Sequence, residues 1–298
     1  MRTTAILIMT AVQLAGSAAT ARERPFVPTD DWSVHAAGEH CRLTRNFVDA
    51  RAERIRLQVQ TFGLMQGFKI TMVGDGLPLT SERRGVATFK YRFKPDPDWQ
   101  ESMGTTGYVD GVDALTFQGH LTTKAETERR DRGAEGERTV QAWAPYMAAR
   151  AGEVDALALS YHRTRDDVVL QLGNMAEPYR NLQACARELL RNWGYDPEEH
   201  AKLRSGPRLL NLEKIPEALL GAMRRNGLGH NDSIQFRIDV DERGTQTGCT
   251  IQHPRRGSEV ETLICDTLKK TAQFEAAVGE AGSPVRAPFI SSVVFGFR

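Results

Sequence analysis

The sequence predicts an α+β protein in two parts, and three observations lead there. Apolar residues alternate with polar ones from Trp32 to about Tyr161 and again over Val168–Leu172. One strongly amphipathic helix follows, between Asn174 and Gly194. Residues 211–298 then read as helix, two-stranded hairpin, helix and strand. The expected class is a mainly antiparallel β domain closed by a helix, then a small two-layer α/β domain of three antiparallel strands with helices.

The period-two runs are short and numerous. Cys41, Leu43, Arg45 and Phe47 alternate with their neighbours, as do Ile55, Leu57 and Val59, then Phe68, Ile70 and Met72. Ala87, Phe89, Tyr91 and Phe93 stand against Thr88, Lys90, Arg92 and Lys94. Leu115 and Phe117, then Leu157, Leu159 and Tyr161, continue the series. Half-buried strands separated by Gly, Pro and Asp turns indicate an antiparallel sandwich or barrel-like sheet. Residues 124–138 interrupt it: ten of the fifteen are charged, five of each sign, which reads as a solvated loop. A helical segment around Val140–Arg150 follows.

The closing helix has Asn174 as its N-cap with Glu177 three residues on, a capping-box arrangement. Tyr179, Leu182, Cys185, Leu189 and Trp193 form one apolar stripe, and Gly194 ends it. Cys185 lies on that stripe, so any partner comes from the sheet it covers. Residues 196–210 read as a short helix and a linker. In the second part, Pro216 suits the first turn of a helix to about Arg225. Ile234, Phe236, Ile238 and Val240 alternate along a strand, Asp241–Gly244 turns it back, and Cys249 and Ile251 lie on the return. Ser258 with Glu261 caps a second helix, and a last strand runs from about Ala287 to Phe297.

The first 21 residues have the order of a secretory signal. Arg2 is followed by an apolar stretch from Ala5 to Leu14, and Ala19-Thr20-Ala21 gives small residues before Arg22. That stretch is shorter than a membrane span needs. The expected mature chain is 22–298, a periplasmic protein; an uncleaved inner-membrane anchor is the alternative. Losing Arg2 balances 38 basic against 38 acidic residues, which leaves no electrostatic footprint for nucleic acid. The mature length suggests two domains, 22–195 and 211–298, joined by 196–210. Four cysteines in an oxidising compartment read as two disulfides, with buried reduced thiols as the alternative.

The C-terminal order of elements resembles the C-terminal domain of the TonB family of periplasmic energy transducers. The residues carrying the resemblance are Ile215-Pro216-Glu217-Ala218-Leu219 in the first helix and Ile238–Gly244 in the hairpin. Cys249, Cys265, Phe274-Glu275-Ala276-Ala277, Gly282-Ser283-Pro284-Val285 and Val294-Phe295 complete it. Ala276 stands where that family has proline, and Arg255-Arg256-Gly257 where it has Ser-Ser-Gly. Ahead of this domain, Trp32, Cys41–Arg45 and Trp193-Gly194 look like a region that precedes TonB-like domains in some exported proteobacterial proteins. Cys249 is expected to pair with Cys265, linking the hairpin to the helix packed on it. Cys41 is expected to pair with Cys185, partly by elimination.

A TonB transducer has an uncleaved membrane helix and a long proline-rich spacer, whereas Pro25 and Pro28 are the prolines near this N-terminus. The resemblance therefore implies docking rather than energy transduction: an extended segment of an envelope or outer-membrane protein, with a TonB-dependent receptor among the candidates, would add to the closing strand. Its expected contact residues are Phe289, Ile290, Ser292, Val294 and Phe295, with Phe289 and Phe295 able to face the helix and no charge between Arg286 and Arg298. No catalytic residues, metal ligands or cofactor are expected. The seven histidines form no metal-binding pair spacing, and no nucleophile elbow, Walker loop or dinucleotide fingerprint occurs. Asp239–Gly244 fails as a calcium loop, with Arg243 where an oxygen donor and Thr250 where a bidentate glutamate is wanted. Arg255 and Arg256 ahead of Ser258 form a weak anion-site candidate. An exported hydrolase with its site on the N-terminal β domain is the alternative function, and a structural envelope role the third.

Overall fold

In the computed structural model, residues 22–295 are described except 65–66, 80–84, 127–139, 162, 163, 165, 226–231 and 253–257. The signal segment, Gly296–Arg298, the Arg255-Arg256 anion site and most of the charged loop lie outside these residues.

Ten strands fill the first half: β1 (Arg22–Pro28), β2 (Ser33–Ala37), β3 (His40–Val48), β4 (Arg54–Thr61), β5 (Phe68–Val73), β6 (Gly85–Lys94), β7 (Gln100–Val109), β8 (Val112–Gly119), β9 (Ala156–Tyr161) and β10 (Asp166–Gln171). Their order is β1-β10-β9-β6-β7-β8-β5-β4-β3, and β1 pairs with β3 through Val27↔Val48 and Pro28↔Phe47, which closes a nine-stranded barrel. β2 extends the β3 side beyond β1. All pairings in the ring are antiparallel except β1 with β10, where Arg22 to Phe26 run parallel to Asp166 to Leu170.

This corrects the expected class. The protein is not an α+β pair of a helix-closed antiparallel domain and a small separate α/β domain; it is mostly β, and its larger part is a closed mixed barrel. The reason is β1. Its Arg-Glu-Arg-Pro start reads as the polar beginning of a mature chain, yet Phe26 is fully buried inside the barrel. The charges are matched along the rim. Arg24 pairs with Asp49 and Glu53, both at 2.6 Å, and Glu23 pairs with Lys94 at 2.8 Å.

The alternating residues point inward, and the barrel is filled by them. Leu43, Ile55, Leu57, Ile70, Met72, Leu115, Leu157, Leu159 and Leu170 are almost wholly buried. Phe89 packs edge-on to Phe117, with centroids 4.9 Å apart. Helix α1 (Val140–Glu153) lies before β9, and α2 (Ala176–Asn192) caps the end where β3 begins. Tyr179 and Leu182 of α2 reach into the barrel mouth beside Leu43, Phe68 and Leu172. The disulfide Cys41–Cys185 fixes α2 to β3. The helix starts one residue later than its capping box suggests: Asn174 Oδ1 accepts the Ala176 amide, while Met175 holds the cap position. Gly194, at φ +79°, ends it, and the Tyr195 amide returns to the Leu190 carbonyl.

The segment that reads as a linker carries α3 (Pro197–Ala201), capped by Asp196, and then β11 (Arg208–Leu209). β11 pairs with β14 (Phe274–Glu275), so this stretch is stitched into the second half. There, α4 (Ile215–Arg225), β12 (Asp232–Val240), β13 (Gln246–Ile251), α5 (Ser258–Thr271), β15 (Ala277–Val278), β16 (Pro284–Val285) and β17 (Ala287–Phe295) complete the chain. The three-stranded antiparallel sheet runs β13-β12-β17. Ile215, Leu219 and Met223 of α4 and Ile264 and Leu268 of α5 pack on Phe236, Ile238 and Val240. Cys249–Cys265 ties β13 to α5. At the hairpin turn, Asp241 Oδ1 accepts the amides of Arg243 and Thr245, and Gly244 at φ +79° passes so close to Phe274 that a Cβ would stand 2.4 Å from its carbonyl oxygen.

Candidate docking surface

Among the described residues, β17 has a strand neighbour on one side only. Its partner is β12, in register from Ala287↔Val240 to Phe295↔Asp232. Residues facing each other across an antiparallel pair share a face of the sheet. Ala287, Phe289 and Ser291 therefore lie with Val240, Ile238 and Phe236 on the helix side. Phe289 is half-buried there, its ring 5.0 Å from that of Phe274. Val294 and Phe295 belong to the strand, opposite Ser233 and Asp232.

Pro288, Ile290 and Ser292 share the other face with Asp239, Arg237 and Gln235. Reading the strand alone, this side is nearly free of charge. The neighbouring strand changes that, because Arg237 and Asp239 form the joint with the barrel. Arg237 is 8 % exposed. Its Nη1 bonds Glu39 at 2.5 Å, its Nε lies 3.2 Å from Asp239, and its guanidinium stacks 4.3 Å from the centre of a Trp193 ring. Tyr195 donates its hydroxyl to Asp239 at 2.7 Å, and burial first, then this bond, holds the phenol well above its ordinary range. Gln252 donates to the carbonyls of Glu39 and Phe62. Glu39, Phe62, Trp193 and Tyr195 on the barrel side thus meet Arg237, Asp239 and Gln252 of the sheet, and these buried polar contacts fix how the sheet sits on the barrel.

Beneath it, His40 lies 3.3 Å from Gln60 and against the Phe62 ring. Burial, with Arg42 and Lys69 nearby, pushes its pKa down to about 4. On the barrel, buried Asp96 is raised by burial against the pull of Arg150, which also bonds Glu153 and the Leu121 carbonyl. That network ties the β6–β7 connection to α1.

Of the residues singled out from the sequence, the structure groups Phe289, Ile290, Ser292, Val294 and Phe295 on one edge strand. It pairs Cys41 with Cys185 and Cys249 with Cys265. The joint was missed. Its one sequence signal is three long polar residues, Gln235, Arg237 and Asp239, alternating on a strand where a solvated face would read the same way. Among the described residues, no group of three or more His, Cys, Asp or Glu is placed to hold a metal ion, and no helix is long and apolar enough to cross a membrane. No family model matches the sequence, and no curated protein or solved structure matches it either.

Proposed function

We propose that this is a non-catalytic binding protein of the bacterial cell envelope that docks an extended segment of an envelope or outer-membrane partner by strand addition to β17. The observation carrying this reading is the edge itself. β17 is nine residues long and paired only with β12 among the described residues, and no charge occurs between Arg286 and Arg298 to discourage pairing. Main-chain hydrogen bonds supply affinity in this mode, and alternate side chains supply selectivity. The likeness of residues 211–298 to TonB C-terminal domains favours the same mode. Export to the periplasm suits the two disulfides, which persist in oxidising compartments.

Paired proline substitutions test it. Along an edge strand, successive amides point alternately to the neighbour and to the open side. One of Ser291→Pro and Ser292→Pro therefore removes a ladder bond to β12, while the other removes only an open-edge donor. The expected outcome is one variant that melts like the parent yet loses in-envelope crosslinking to its partner. Undiminished crosslinking in both folded variants refutes the reading.

A further inference from the structure

A cleft of about 350 Å³ lies between α3 and the β15–β16 hairpin, beside the start of β17. That volume is within the range of small-molecule sites. Its floor is neutral: the buried Tyr195 and Leu203, half-buried Val285, and His200. Burial pushes His200 down to about 4, so its imidazole is uncharged at neutral pH.

The rim carries both signs, and most of its charges are already engaged. Asp196 caps α3 by accepting the Glu198 amide at 2.8 Å. Lys202 and Glu280 pair at 3.6 Å. Two are in neither a helix cap nor an ion pair among the described residues, the Glu199 carboxylate and the Arg286 guanidinium. Arg286 is held in place by Tyr195, stacking 4.3 Å from the centre of its ring and hydrogen-bonding its hydroxyl. Tyr195 in turn is fixed by its bond to Asp239, so the cation stands on a rigid shelf. A neutral, partly aromatic floor beneath one cation and one anion that are in no ion pair fits a molecule with an apolar body and both charges.

We infer that this cleft binds a small zwitterion with an apolar side chain, an amino acid or very short peptide, whose carboxylate meets Arg286, whose ammonium meets Glu199, and whose side chain lies over Tyr195, Leu203 and Val285. This site is independent of strand addition to β17.

Saturation-transfer NMR on the disulfide-intact mature chain tests it with three probes: L-phenylalanine, N-acetylphenylalanine without the ammonium, and phenylalaninamide without the carboxylate. Phenylalanine should bind saturably, and each blocked probe about tenfold more weakly, the effect of losing one charge-assisted hydrogen bond. Arg286→Gln should abolish the preference over the amide, and Glu199→Gln the preference over the acetylated probe. Ala281→Trp, at an exposed position in the lining, should fill the cleft and remove all three signals. No saturable signal from phenylalanine, equal binding of the three probes, or binding unchanged by Ala281→Trp would each overturn the inference.

Discussion

Replacing Arg237 with methionine tests whether the joint couples the two halves. The substitution keeps an unbranched stem of similar reach and deletes the charge. In the folded protein it removes the ion pair to Glu39, the closer of two carboxylates, and the stacking on Trp193. Breaking a buried ion pair by removing one partner costs about 3–5 kcal/mol, and a partly desolvated cation–π contact about 1 kcal/mol. Glu39 retains 29 % of its side-chain exposure and can rehydrate, which places the sum near the lower end, about 3 kcal/mol. Urea unfolding would register this as a midpoint shift of roughly 1 M at a slope of about 3 kcal/mol/M. Glu39→Gln and the double variant complete a cycle whose coupling energy should be about 1–2 kcal/mol. The double variant should also split one unfolding transition into two, because the joint would then keep only Gln252 and Tyr195 of its contacts described above. A coupling below about 0.5 kcal/mol with a single transition retained refutes the joint as the element that fixes the sheet.

Three further outcomes are expected. Removing Cys41–Cys185 by paired alanines should cost about 5 kcal/mol in the chain-entropy estimate for a separation of 144 residues, against about 3 kcal/mol for Cys249–Cys265 at 16, measured by denaturation of each double variant. Phe26→Ala should cost about 3–5 kcal/mol and raise amide exchange in β1 and β10 before β6 and β7, since the ring is fully buried at the closing strand; uniform exchange across the barrel would refute that order. Stability should fall as pH drops from about 6.5 to about 4, because His40 is buried neutral and the unfolded chain binds its proton first; His40→Asn should flatten that slope relative to the parent.

Alternation alone, in particular stretches, carried much of the local structure. Leu43, Leu57, Ile70, Phe89, Leu115, Leu157 and Leu170 were legible as inward-facing because a strand turns its side chains over every two residues, and the core must take one set. The hairpin at Asp241–Gly244, the helix start at Ile215-Pro216 and the edge strand at Ala287 follow from equally local chemistry. The structure has both expected disulfides, of which Cys249–Cys265 follows from the hairpin and helix of the resemblance and Cys41–Cys185 partly from elimination.

What local pattern could not supply was closure. Whether a set of strands stays open, stacks or forms a ring depends on which edges meet. β1 meets β10 across more than a hundred intervening residues and β3 across the whole of β2, a pairing whose evidence lies in partners rather than in its own charged sequence. The joint has the same character. Arg237 reads as a solvent-facing strand residue until Glu39 and Trp193 are placed opposite it, far away in the chain. By itself the sequence determined most of the strands, helices, turns and inward-facing positions, because those depend on near neighbours, but not β1, β7 or β11. Only the tertiary structure decided that the sheet closes, that the second half sits on the barrel, and that one face of β12 is buried while the edge of β17 is left unpaired among the described residues, because burial of a polar group is set by what packs against it and not by its own place in a period.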